Sequence, residues 1–172
     1  QRQMCIRDRI QAWFFSSVGQ YPIDRSSGQA AQDALNAGLK VVGRGDLMGM
    51  YPEGTRSPDG RLYRGKTGIA RLAFESGQNV YPVAMINTRK ANPIGSLFPR
   101  PVRVGVSVGE PLDPLDYMHI EDEYERLRTF TDDIMESLHQ LGGQEYVHDF
   151  YAADVKAALN EGKGYLRGSE PK

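Results

Sequence analysis

A chain of 172 residues with 40% hydrophobic and 25% charged residues has the size and balance of one folded domain with its own core. It contains no apolar run near the roughly 20 residues of a bilayer span, so any membrane contact is expected to be peripheral. The single cysteine, Cys5, excludes an internal disulfide and a cysteine metal cluster and points to a reducing compartment, and the start QRQMCIRDRI is charged where a secretory signal has its apolar stretch.

The net charge of −1 hides a division. Residues 1–109 carry 15 Lys and Arg against 7 Asp and Glu, a balance of +8, whereas residues 110–172 carry 6 against 15, a balance of −9. A basic body with an acidic C-terminal segment is expected to meet anions such as phosphates or an anionic membrane surface. Charges that merely segregate on a solvated face are the bland alternative. Nucleic acid is not an expected partner, because no aromatic side chains interleave the basic ones to stack bases.

In chain order, AWFFSSVGQYPI begins as an aromatic run and ends extended. SSGQAAQDALNAGLKVVGRG predicts a helix with Ser26 or Ser27 as N-cap, Ala31, Leu35, Leu39 and Val42 on one face, and Gly43 and Gly45 as its stop. DLMGMY reads as a short buried strand, and TGIARLAFESG as a helix with Ile69, Leu72 and Ala73 inward and Gly77 as terminator. NVYPVAMIN is a strand whose Pro82 belongs at its start or on an edge. PVRVGVSVGEPL alternates, which predicts a half-buried strand with Val102, Val104, Val106 and Val108 on one face. IEDEYERLRTFTDDIMESLHQLGG predicts a surface helix with Tyr124, Leu127, Ile134, Leu138 and Leu141 as core contacts, and YAADVKAALN a short last helix. Strands alternating with helices give an α/β domain with a mixed, mostly parallel sheet covered by helices.

Between the second strand and helix lies YPEGTRSPDGRLYRGKTG, Tyr51 to Gly68. Gly60 to Thr67 meets the G-x-x-x-x-G-K-[ST] spacing of a nucleotide-binding loop, but the residues before it, PEGTRSPD, are not a buried strand. A stronger reading places Glu53, Gly54, Thr55 and Arg56 beyond a strand's carboxyl end, where open α/β sheets bind ligands. Gly54 permits close approach, and the Arg56 fork suits a phosphate. A surface turn in which Glu53 and Arg56 pair with each other is the alternative.

YPEGTRS closely resembles the F-P-E-G-T-R-S block of the glycerolipid acyltransferases. GQYPIDR resembles that family's second block and VYPVAMI its fourth, in the same order, and RGKTGIARLA resembles the stretch just after the third block. The resemblance extends from about Ile10 to Asn160 and implies transfer of an acyl chain from acyl-CoA or acyl carrier protein to the free hydroxyl of a lysophospholipid. In the typical case the product is phosphatidic acid. It further implies that Asp24 and Arg25 lie in the second-block part of the site, that Glu53 and Gly54 shape the acceptor pocket, and that Arg56 holds the glycerol phosphate; Thr55, by its own chemistry, can add a hydroxyl donor. Lys66 is an auxiliary cation by charge and proximity. No metal or cofactor is implied. The resemblance places the protein in the cytoplasm, peripheral on the inner face of the cell membrane.

The family's first block, N-H-x-x-x-x-D, supplies its general base, and this chain does not carry it. Five residues after His119, His139 and His148 stand Tyr124, Gln144 and Ala153. Each histidine is therefore expected on the surface or in helix packing. The chain is expected to be a fragment of the domain: residues 1–9 foreign, 10–160 a partial acyltransferase domain, 161–172 a flexible tail. By itself it is expected to be inactive for want of the His-Asp pair. A phosphate- or lipid-binding module without catalysis is the alternative.

Overall fold

The computed structural model describes residues 30–93 and 100–171; the aromatic run, the segment containing Asp24 and Arg25, and the expected N-cap serines lie outside them. The chain forms two compact units, residues 1–48 and 49–172.

In the first unit, helix α1 (Ala30–Val42) buries Leu35 and Val41 and exposes Gln32, Asp33, Asn36 and Lys40. It ends where glycine was expected to end it, with the Gly43 N–H on the Leu39 carbonyl at 2.8 Å and Gly45 at φ +81°. The buried strand expected over Asp46–Tyr51 is not formed. These residues are irregular, and Leu47 and Tyr51 are largely exposed. An apolar run becomes a strand only when a neighbouring strand takes its backbone groups, and no strand among the described residues pairs with this one.

The second unit contains β1 (Leu62–Tyr63), α2 (Gly68–Ser76), β2 (Val83–Ile86), α3 (Thr88–Ala91), β3 (Gly105–Val108), a 3₁₀ turn (Pro114–Tyr117), α4 (Glu123–Gly142), β4 (Tyr146–Val147) and α5 (Ala152–Asn160). This is the mixed α/β class the alternation indicated. The described strands form one parallel ladder, Leu62 beside Tyr146 and Tyr63 beside Val147, and one antiparallel ladder, Val83 beside Val108 and Met85 beside Val106. Pro82 immediately precedes β2, where its missing donor costs the ladder nothing.

Local chemistry sets the helix ends. The Asp122 carboxylate accepts the Glu125 N–H at 2.7 Å to start α4, and Gly143 closes that helix in the left-handed region at φ +64°. Gly77, also left-handed, ends α2. Two apolar clusters form between these elements. One joins Ala70 and Ala73 of α2 to Leu127, Phe130 and Ile134 of α4, with Phe74 and Tyr117 edge-on to the Phe130 ring. The other joins Tyr63, Val147, Ala152 and Val155.

Two expectations about faces are corrected. Tyr124 is 71% exposed, because a helix face is buried only where another element lies opposite it, and burial on α4 begins one turn later at Leu127. The β3 valines alternate as expected but face outward: Val106 and Val108 are each 61% exposed. The side of the β2–β3 sheet that meets α4 is the one with small residues. A Cβ at Gly109 would stand 2.8 Å from Leu141 Cδ1, and one at Gly142 would stand 3.6 Å from Ala84 Cβ. Helix α4 comes this close because those positions lack bulk.

Candidate functional site

The loop from Tyr51 to Lys66 folds back on itself. The Gly54 N–H meets the Tyr51 carbonyl at 3.0 Å, and the Lys66 N–H meets the Pro52 carbonyl at 2.8 Å. Gly54 has φ +69°, a conformation that L side chains rarely adopt, and the Lys66 stem runs across it. A Cβ at Gly54 would lie 3.4 Å from Lys66 Cδ and 3.7 Å from its Nζ. Glu53 turns inward and accepts the Tyr63 N–H on Oε1 at 2.5 Å. Glu53, Gly54 and Lys66 are thus brought together, with Thr55 half-buried next to them. Arg56 is exposed and donates to the Asn92 carbonyl at 3.0 Å, just past α3, so it does not pair with Glu53. Asp24 and Arg25 lie outside the described residues. Beside Lys66 opens a cleft of about 380 Å³ lined also by Thr67, Tyr151, Ala153 and Asp154.

Behind this surface sits a charged network that the sequence did not reveal. Arg61, 8% exposed, donates from Nε to Asp59 Oδ2 at 2.8 Å and from Nη2 to the Tyr63 hydroxyl at 2.9 Å. Tyr63, fully buried, donates its own hydroxyl hydrogen to Asp59 Oδ2 at 2.8 Å. Burial pushes the Asp59 carboxyl up, but the bonds from Arg61 and Tyr63 outweigh it and hold Asp59 below the usual carboxylate range. Glu53 lacks such a partner. Burial raises it to about 7, against the pull of the single Tyr63 N–H and with a further push from Asp59. Burial and Asp59 likewise raise the Tyr63 hydroxyl.

The nucleotide-loop spacing is accidental. A phosphate cradle needs a run of free backbone N–H groups. Here those of Leu62, Tyr63, Arg64 and Lys66 donate to Glu145 O, Glu53 Oε1, Phe150 O and Pro52 O. The histidines have local tasks. His119 Nδ1 meets the Asp116 carbonyl and His139 Nδ1 the Gln144 carbonyl, while His148 packs 3.9 Å from the Tyr146 ring. Among the described residues no group of His, Cys, Asp and Glu is arranged to hold a metal ion.

The site residues that sequence reasoning missed are Asp59, Arg61 and Tyr63. The Pro-Asp-Gly turn at 58–60 was a signal for Asp59, since Asx side chains bond backbone N–H groups two residues on, as Asp59 Oδ1 does to Arg61 N at 3.0 Å. Nothing local signalled Arg61, whose other acceptors, the carbonyls of Ser169 and Glu170, are 108 and 109 residues away. These bonds also show that the tail expected to be flexible packs back on the loop, with Ser169 fully buried.

Fold and loop together define a mixed α/β domain with a glycine- and arginine-bearing loop stabilised from behind by a buried ion pair. The chain matches the acyltransferase family over residues 1–86, half its length, and belongs to that family. Among its relatives, the chain is 36% identical over 84 residues to the chloroplastic 1-acyl-sn-glycerol-3-phosphate acyltransferase BAT2 of Brassica napus, covering 49% of this chain and 24% of that protein. It is 38% identical over 79 residues to the 1-acyl-sn-glycerol-3-phosphate acyltransferase of Saccharomyces cerevisiae, covering 44% of this chain and 26% of that one. The crystal structure of the 1-acyl-sn-glycerophosphate acyltransferase PlsC from Thermotoga maritima superposes with a TM-score of 0.51 and 29% identity, covering 63% of this chain and 44% of PlsC. The matched parts span about a quarter of those two curated relatives.

Proposed function

We propose that this chain is the acceptor-binding part of an acyltransferase of phospholipid biosynthesis. In the whole protein an acyl group passes from acyl-CoA or acyl carrier protein to the free hydroxyl of 1-acyl-glycerol-3-phosphate, giving phosphatidic acid. Arg56 and Lys66 hold the acceptor phosphate, Asp24 and Arg25 contribute from the second block, and Glu53, Gly54 and Thr55 shape the pocket. The observation that carries this reading is the placement of Lys66 across Gly54 in a loop of the family's sequence, which puts a flexible cation over the bend leading to Arg56. Both cations are exposed, and Arg56 has only a neutral carbonyl to exchange for a phosphate. The protein is peripheral on the inner face of the cell membrane in this reading; no helix among the described residues is long and apolar enough to cross one.

The general base comes from an H-x-x-x-x-D pair that this chain does not carry, so the 172-residue chain does not turn over. A positioned base is commonly worth about 10² to 10⁴ in rate. Two measurements test the reading. Glycerol 3-phosphate titrated calorimetrically into the purified chain binds, and Arg56→Ala weakens binding by about tenfold or more, the value of a charge-assisted hydrogen bond. Acyl transfer from an acyl-CoA to 1-acyl-glycerol-3-phosphate stays at background. Binding that is indifferent to Arg56 would remove the pocket assignment, and brisk turnover would remove the inactivity.

A further inference from the structure

We propose that residues Tyr165 to Glu170 are a clasp that holds the Glu53–Lys66 loop in its binding shape, with Arg61 as the positioning residue through which they act. The inference rests on the phosphate-site reading for its purpose and on the Arg61 contacts for its existence. The guanidinium lies between two parts of the chain that are remote in sequence. On the loop side it meets Asp59 and Tyr63; on the tail side Nη2 donates to the Ser169 carbonyl at 2.5 Å and Nη1 to the Glu170 carbonyl at 3.1 Å. Glu145, next to β4, stands 3.6 Å from Nη1. The rings of Tyr63 and Tyr165 lie 5.4 and 5.5 Å from the guanidinium carbon, so the cation also has an aromatic face from each side.

A buried guanidinium is tolerated only when its donors are engaged, and here loop and tail each supply part of what it needs. Without the tail carbonyls, the inner end of Arg61 would face an unmet need for acceptors, and Asp59 and Tyr63 would lose the group that orders them. The tail is built to present those carbonyls. The Ser169 N–H and hydroxyl both meet the Leu166 carbonyl at 2.8 Å, and Gly168 turns at φ +92° with its N–H on the Glu170 carboxylate at 2.7 Å. Tyr165 and Leu166 pack on the Tyr63–Val155 cluster. From Arg61 the ordering passes to Tyr63, whose N–H fixes Glu53, and from there to the Gly54 bend under Lys66. Arginine is required because a planar fork reaches acceptors on both sides at once, whereas a lysine ammonium cannot.

Two variants of the 172-residue chain test this. Arg61→Lys keeps the charge and loses the fork; Gly168→Ala leaves Arg61 intact and strains the tail turn, since an L side chain rarely adopts φ +92°. Amide hydrogen exchange is read at residues 51–66 and, as the measure of global stability, in α4. Glu53 is titrated by carboxyl carbon NMR, and glycerol 3-phosphate binding is followed in the same samples. In both variants the loop amides are expected to exchange about tenfold faster or more while α4 keeps its rates. Glu53 should titrate below its native value of about 7 as water enters. Lys163→Ala, an exposed position outside the clasp, should change neither. Unchanged loop exchange in the two variants, or acceleration of loop and α4 alike, overturns the clasp. If the native chain binds no glycerol 3-phosphate but the loop responds as described, the phosphate reading fails and the clasp stands.

Discussion

Glu53 and Asp59 share one loop, yet burial has opposite net results on them because Asp59 has the Arg61 fork and Glu53 has a single N–H. For Glu53 the folded value, about 7, lies above the ordinary 4.5. Its contribution to stability is therefore full below about pH 4.5 and is lost as pH rises through 7. The difference is worth roughly 3 kcal/mol. Glu53→Gln keeps an acceptor for the Tyr63 N–H and removes the titration, so the fall in urea-unfolding stability between pH 5 and pH 8 should largely disappear. A fall as steep as that of the native chain would show that Glu53 is hydrated. Asp59 has the reverse sign: its contribution is present above the ordinary carboxylate range and lost as pH drops through the lowered value. Asp59→Ala strands the buried Arg61 charge and is expected to cost about 3 kcal/mol at pH 7, measured by the same denaturation.

At the scale of elements, β1 and its flanking residues come unusually close to α4. A Cβ at Gly65 would stand 2.9 Å from the buried Met135 side chain and 3.0 Å from Thr131 Cγ2. The Gly65 carbonyl also accepts from Arg128 Nη1 at 2.8 Å. Gly65→Ala therefore overpacks the junction, and about 1 to 3 kcal/mol of stability should be lost in thermal or urea unfolding. The outward face of β2–β3 behaves differently. Tyr81, Val83, Met85, Val106 and Val108 are all exposed, so Val106→Thr with Val108→Thr should change stability by under about 0.5 kcal/mol each. The same pair should reduce binding of an apolar dye such as ANS, because it removes part of a contiguous apolar patch. A large loss of stability instead would mean that these valines are covered.

For the second unit as a whole, the loop that carries Glu53 to Lys66 is held by residues far along the chain. β1 pairs with β4, Arg128 reaches Gly65, and the Tyr63 cluster includes Val155 of α5. Val155→Ala, remote from the loop in sequence, is expected to cost about 2 kcal/mol and to raise loop amide exchange along with that of α5. A response confined to α5 would show that the cluster does not support the loop.

Much of this was legible in one dimension. Gly43 and Gly77 end their helices because a left-handed or unrestrained backbone is a property of the residue itself. The position of Pro82 and the turn around Gly54 reflect equally local chemistry. The family blocks were legible too, since the resemblance lies in the residues themselves. Other features required the tertiary structure. Alternation divides the β3 valines from Arg103 and Ser107, but only the approach of α4 decides which side is covered, and it chose the side without bulk. The same holds for Arg61. Its type states that a buried site must supply many acceptors; which carbonyls do so, 108 and 109 residues along the chain, is set by the packing that brings the tail to the loop.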